Sequence, residues 1–265
     1  MPGNTSYLQP PVPADARNST LVAPHIPTLH RLLYRLLSHP DDAADLVQDT
    51  LLTAYQKMGS FRGESAFGTW LYTIASRKGL DLLRQRKRWP KEAQLVGEER
   101  ALASPEVMAG MDIIIKDDAF RYEYRQHVAY CFSCVAQSLE AELSTALMLR
   151  ELAQLENREA ATIMGLSESQ FRHRVRQGRE TIQERFDGLC ALVSKEGVCY
   201  QCNNLREYCA EERRGPAITP IAAVDDAAET KLDRRLQLVR EADLEAGPGH
   251  EIHAYLFRFM HSLWA

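Results

Sequence analysis

Apolar residues in this chain recur at intervals of three and four, and no stretch alternates convincingly at an interval of two. The first spacing lines one face of an α-helix, and the second would mark a strand. Leu29, Leu32, Leu33, Leu36 and Leu37 make one stripe; Ala44, Val47, Leu51, Ala54 and Tyr55 make the next. The expected class is therefore all-α. Between the two stripes, His39-Pro40-Asp41-Asp42 reads as a break and a helix start. Proline suits the first turn, and early acids suit the positive helix end. A third helix is expected over 69–88, stopped by Trp89-Pro90 because the residue before a proline leaves the helical region. Leu232, Leu236 and Val239 mark a short helix over 230–242, and Ile252, Leu256, Met260 and Leu263 mark another over 250–264.

Six of the twelve prolines fall in the first 27 residues, which predicts a disordered tail there. Acids cluster from Glu92 to Asp118 over a weak apolar pattern, which predicts a flexible acidic linker over 92–118. The expected organisation is a tail (1–27), a helical unit (28–91), the linker, a second helical unit (119–195) and a cysteine-bearing extension (196–265). No apolar run approaches the roughly 18 residues of a membrane span. No signal pattern opens the chain, so a cytoplasmic location is expected. Six cysteines in 265 residues do not make a disulfide scaffold and point instead to metal or thiol chemistry. A Gly-rich phosphate loop, an HExxH pair and a serine elbow are all missing, so an enzyme is not expected.

Two segments carry chemistry suited to nucleic acid. Although the net charge is −4, residues 77–91 hold seven Lys/Arg against one acid. Arg77, Lys78, Arg84, Lys87 and Arg88 belong to this excess, and clustered cations are what phosphates need. A solvated helix end is the plain alternative. Just upstream, Phe61, Arg62, Ser65 and Phe67 lie in a loop where aromatic rings beside cations would suit unstacked bases. Trp70 and Leu71 are expected in the core. The second segment runs from Arg158 to Phe171 and onward. Ala160, Ala161 and Ile163 form a short helix, Gly165 the turn, and Ser167 an N-cap with Gln170 as its capping-box partner. The next helix would bury Phe171, Val175, Gly178 and Ile182 and present Ser169, Arg172, His173 and Arg176 on the other side, the layout of a helix-turn-helix recognition helix.

Asp42 to Thr50, then Phe61 to Ala75, then the helix-turn-helix together resemble the bacterial RNA polymerase sigma factors of the extracytoplasmic-function group. The resemblance spans roughly 150 residues in two helical units, sigma-2-like and sigma-4-like. It implies core RNA polymerase and promoter DNA as partners. Asp45, Leu46, Gln48 and Asp49 would face the polymerase. Phe61, Arg62, Ser65, Phe67, Arg77, Lys78, Arg84, Lys87 and Arg88 would recognise and melt the −10 element. Ser169, Gln170, Arg172, His173 and Arg176 would read the −35 element. A monomer is expected when free, and the sequence leaves a separate anti-sigma partner open. A standalone helix-turn-helix repressor is the alternative; it would not need the Asp45–Asp49 surface.

The chain departs from typical members in its cysteines and its length. Cys131-x-x-Cys134 and Cys199-x-x-Cys202 have the pair spacing of a tetrahedral zinc site, with His127 and Cys190 as alternates. One structural Zn2+ is the first reading, a thiol–disulfide switch the second, and plain buried cysteines the third. About 80 residues follow the helix-turn-helix, and the extension is expected either to regulate promoter binding in cis or only to pack.

Overall fold

The computed structural model describes residues 20–63, 65–187, 200–214, 231–242, 244–247 and 249–264. Twelve α-helices and no strand are found among them. One isolated parallel bridge joins Tyr122 to Arg214.

The first unit is built from α1 (Ile26–Leu37), α2 (Pro40–Lys57) and α3 (Phe67–Gln85). Ser38 closes α1 at φ 52°, and His39 caps α2 by accepting from the Asp42 amide, with Pro40 in the first turn. Helix begins at residue 20 instead of 28. Pro24 sits in a 3-10 turn and Pro27 in the first turn of α1, where a missing N–H costs nothing, so neither opposes helix. Residues 1–19 lie outside the described residues.

The segment expected as an open linker is two helices, α4 (Ala93–Leu102) and α5 (Pro105–Lys116), the latter capped by Ser104. Its stripe was hard to read because small residues make it: Ala93, Gly97 and Ala101 are the buried face of α4. The acids of α4 and α5, Glu98, Glu99, Glu106 and Asp112, stay off that face.

The second unit comprises α6 (Tyr124–Ala136), α7 (Ala141–Leu147) with a π-helical turn (Met148–Leu152), α8 (Asn157–Met164) and α9 (Glu168–Asp187). Gly165 ends α8 at φ 68°, a conformation that favours glycine. Ser167 Oγ accepts from Gln170 N at 3.2 Å, and Ser167 N donates to Gln170 Oε1 at 2.9 Å, closing a reciprocal capping box. Phe171, Val175, Gly178, Ile182 and Phe186 are the buried face of α9. A Cβ at Gly178 would lie 2.8 Å from Leu147 Cγ and 3.3 Å from the Leu143 carbonyl oxygen. Gly178→Val should therefore destabilise the unit by about 1–3 kcal/mol, read as a lower urea midpoint.

The two units are in direct contact. Leu32 of α1 joins Ala146, Leu149, Ala160, Ile163 and Phe171 in one apolar cluster, and Tyr72 of α3 packs on it. Thr69 donates to Glu159 at 2.5 Å across the same seam.

The chain beyond α9 continues with α10 (Tyr200–Tyr208), α11 (Lys231–Glu241) and α12 (His250–Trp264). The last two span both units. On α11, Asp233 accepts from Arg179 of α9 at 2.6 Å. Arg240 donates to the Glu151 carbonyl and carboxylate at 2.5 and 2.9 Å. Buried Arg35 of α1 donates to the Val239 and Ala242 carbonyls at 3.2 and 2.9 Å, satisfying the last turn of α11. Arg235 lies 3.6 Å over the Phe186 ring. On α12, Arg258 grips both Asp41 carboxylate oxygens at 2.7 and 2.8 Å. Phe257 meets the rings of Tyr34 and Tyr130.

His261 of α12 donates towards the Leu37 and Ser38 carbonyls and stacks edge-on with Trp89 and His39. Burial, helped by the nearby Arg86 and His39, pushes its pKa down to about 4. Because the folded pKa lies below the unfolded one, this group's contribution is complete above pH 6.5 and is lost as pH falls towards 4. The loss should be on the order of 2–3 kcal/mol, measured as a falling urea midpoint, and His261→Gln should flatten that fall.

Candidate nucleic-acid interface

The capping box and Phe171 fix the rotation of α9, so the opposite face is presented outward. Ser169, Gln170, Arg172, His173 and Arg176 are all exposed. Arg172 pairs with Glu168 at 3.6 Å and Arg176 with Glu180 at 3.9 Å, both loose surface contacts within the helix. Arg176 also meets His173 Nδ1 at 3.2 Å. Such pairs are worth little, so both guanidiniums can swing to a base edge. Arg179 is different: Glu151 and Asp233 hold it, which takes it away from phosphate work.

The loop and α3 residues divide into two groups. Phe61, Phe67 and Trp70 form an aromatic cluster with ring centroids 5.3–5.6 Å apart, half-buried and adjoining His25. Arg62 and Ser65 beside it are exposed. The cations lie along the helix from this cluster, Arg84 about 25 Å beyond Phe67 at the usual rise per residue. Arg77, Lys87 and Arg88 are exposed, and Lys78 approaches Asp49 at 3.9 Å. Arg84 is held by Glu142 at 3.0 Å and Arg88 by Glu140 at 3.7 Å, both acids at the start of α7 in the second unit. The second unit thus neutralises part of the basic stripe of the first.

On α2, Asp45, Gln48 and Asp49 are exposed, while Leu46 leans on the core. The same face carries Leu52 and Tyr55, 59% and 40% exposed, large apolar side chains left in water. Tyr55 belongs by spacing to the apolar stripe of α2 yet stands exposed, and Leu52 lies off that stripe. Their spacing of seven and ten from Asp45 was the available signal.

Of the zinc donors, Cys131 and Cys134 both lie on α6, and each is a free thiol. Cys190 and Cys199 lie outside the described residues, as does the side chain of Cys202. Burial pushes the Cys134 thiol well up, so it is a thiolate only if a cation compensates. Gln94 donates to the Cys131 carbonyl at 2.9 Å. His127 is engaged elsewhere, 3.2 Å from His253 of α12. Among the described residues no three ligating side chains converge. No described helix is long and apolar enough to cross a membrane.

Residues 21–88 match the sigma-70 region 2 family. The chain is 32% identical over 160 residues to the RNA polymerase sigma-H factor of Pseudomonas aeruginosa, covering 60% of this chain and 80% of that one. It is 30% identical over 158 residues to the ECF RNA polymerase sigma-E factor of Haemophilus influenzae, covering 60% and 81%. A solved Bartonella quintana sigma factor, in complex with the anti-sigma factor NepR, aligns at TM-score 0.43 and 23% identity, covering 64% of this chain and 96% of that one.

Proposed function

Since the chain belongs to the ECF family of RNA polymerase sigma factors, we propose that it directs core RNA polymerase to promoters in the cytoplasm. In this reading the exposed α2 face, Asp45, Gln48, Asp49 and Leu52, docks on polymerase. Arg172, His173 and Arg176 read the −35 element from the major groove. The aromatic cluster at Phe61 and Phe67 takes unstacked bases of the −10 element, with the α3 cations on its phosphates. No covalent chemistry is needed. The observation that carries the proposal is the capped, outward-facing α9 on the same chain as a region 2 unit.

The packing of the units adds a condition. Elements at −35 and −10 lie about 25 base pairs apart, on the order of 85 Å of duplex at about 3.4 Å per base pair. A compact chain of this length has a radius of gyration of about 18 Å. The closed arrangement therefore cannot touch both elements, and the units must separate on the promoter. Separation breaks the Thr69–Glu159 and Arg84–Glu142 contacts and the bridge made by α11 and α12. The extension is thus a clamp in cis, doing what an anti-sigma protein does in trans, and the free closed chain is a monomer. Arg240→Glu with Arg258→Glu should raise promoter affinity about 5- to 30-fold, the equivalent of one to two kcal/mol, by fluorescence anisotropy with core polymerase. Unchanged affinity would remove the clamp from the reading.

A zinc bound by Cys131, Cys134, Cys199 and Cys202 would supply no chemistry to initiation; it would tie α6 to the chain around α10, which abuts it. Metal content near one per chain, lost in Cys131→Ser, is the expected result. The sigma role itself is tested by run-off transcription with core polymerase on a genomic promoter library, with and without reductant. Specific transcripts are expected. No transcripts and no co-elution with core would sink it.

A further inference from the structure

A cavity of 450 Å³ lies where α4, α5, α6, α10 and α12 meet, away from every DNA-reading residue. Its size falls within the roughly 300–1,000 Å³ of small-molecule sites. Interiors normally close such space, because an unfilled apolar void forfeits contacts. Here the sequence keeps it open at Ala101 of α4, whose methyl leaves out the side chain that would fill it, while Gly97 one turn earlier makes room for Met260, which a Cβ there would strike.

The walls state what would fit. Three of the chain's seven methionines, Met108, Met111 and Met260, line it, with Phe259 and Leu256 beside them. Thioethers on unbranched chains adapt to differently shaped apolar guests. Polar side chains share the wall, among them Gln94, Tyr130, Tyr208 and Cys131, the last also a proposed zinc ligand. His127 lies on the wall, kept neutral by burial. At the mouth, Gln201 and Asn204 of α10 both donate to the Glu98 carboxylate, at 3.1 and 3.2 Å. Among the described residues no Lys or Arg lines the cavity, and the charged residues that do, Glu98 and Glu207, are acids. An anion would find no cation among the described walls and would face the Glu98 and Glu207 carboxylates.

We propose that this cavity binds a small, uncharged, predominantly apolar organic molecule. Three of its walls, Leu256, Phe259 and Met260, come from α12, so the site is complete only while α12 is docked. A guest that binds only that state stabilises it by mass action. Resting on the clamp reading above, the guest holds the sigma factor closed, and losing it favours opening.

The test uses the full chain, as purified and after zinc loading, titrated with the neutral fluorophore N-phenyl-1-naphthylamine without polymerase or DNA. Saturable binding at one per chain is expected, with a rise in Tm. Ala101→Phe fills the space, and Asn204→Trp covers the mouth from an exposed position. Each should weaken binding at least tenfold with helical circular dichroism retained. If Ala101→Phe does not fold, Asn204→Trp decides. Non-saturable binding, or equal affinity in the folded variants, overturns the proposal. Zinc uptake without fluorophore binding does so too, since the site would then serve metal alone. Run-off transcription with the fluorophore added is the second arm. Tight binding with unchanged transcription overturns only the link to closure, and a failed sigma role leaves the binding result standing.

Discussion

Phe171→Ala should cost the second unit about 3–5 kcal/mol and abolish promoter recognition at −35. Phe171 is fully buried where α8, α9 and the π-helical turn meet. Its ring fills the space that sets the angle between the two helices of the helix-turn-helix. Truncation removes the transfer free energy of the ring and leaves a cavity that Ala160 and Ala146, being small, cannot collapse into. Leu32 of α1 belongs to the same cluster, so the seam between units loosens as well. The urea midpoint should fall, and protection of −35 DNA in footprinting should vanish. His173→Ala is the control: an exposed change nearby, expected within about 0.5 kcal/mol in stability.

Arg172→Ala and Arg176→Ala should each lower transcription from a matched promoter by about 5- to 150-fold while leaving stability alone, the worth of one good base contact of about 1–3 kcal/mol. Both side chains are more than half exposed, and the contacts they make among the described residues are to Glu168, Glu180 and His173 of their own helix. Their loss should relax specificity at one base pair each. A contact to phosphate would instead weaken all sequences alike and reduce the salt slope by about one. Transcription on a library randomised at −35 separates the two patterns. A uniform loss from Arg172→Ala would reassign it to the backbone.

The residues that proved easiest to read are those whose partners lie within one turn. The break at His39-Pro40, the capping box of Ser167 and Gln170, the turn at Gly165 and the inward set of Phe171, Val175, Gly178 and Ile182 all appear as the spacing indicates. The C-terminal helices do as well, Lys231–Glu241 and His250–Trp264 against 230–242 and 250–264. The two departures have different causes, one long-range and one local. In 92–118 the buried stripe is glycine and alanine, whose inward facing is decided by Met260 and its neighbours on α12, more than 150 residues away. In 20–27 the prolines were counted as breakers, though each occupies a first turn.

The candidate site divides in the same way. Which residues of α9 face outward follows from local periodicity and capping, because a helix rotates its side chains by fixed steps. Whether a given cation is available does not, because that depends on what another part of the chain brings near. Arg84 and Arg88 meet acids of α7, Arg179 is drawn into the Glu151–Asp233 network, and Arg172 and Arg176 remain exposed, though all five are arginines on amphipathic helices. Leu52 and Tyr55 stand exposed because, among the described residues, no helix covers that side of α2. By itself, then, the sequence determined the helical class, the helix ends and the reading face of α9, since hydrogen bonds three or four residues apart carry that information. The closed packing of the two units, the bridge of α11 and α12, the buried His261 and the cavity beside Gly97 were decided by the tertiary structure. They rest on contacts between residues up to 224 positions apart, whose pairing no local spacing encodes.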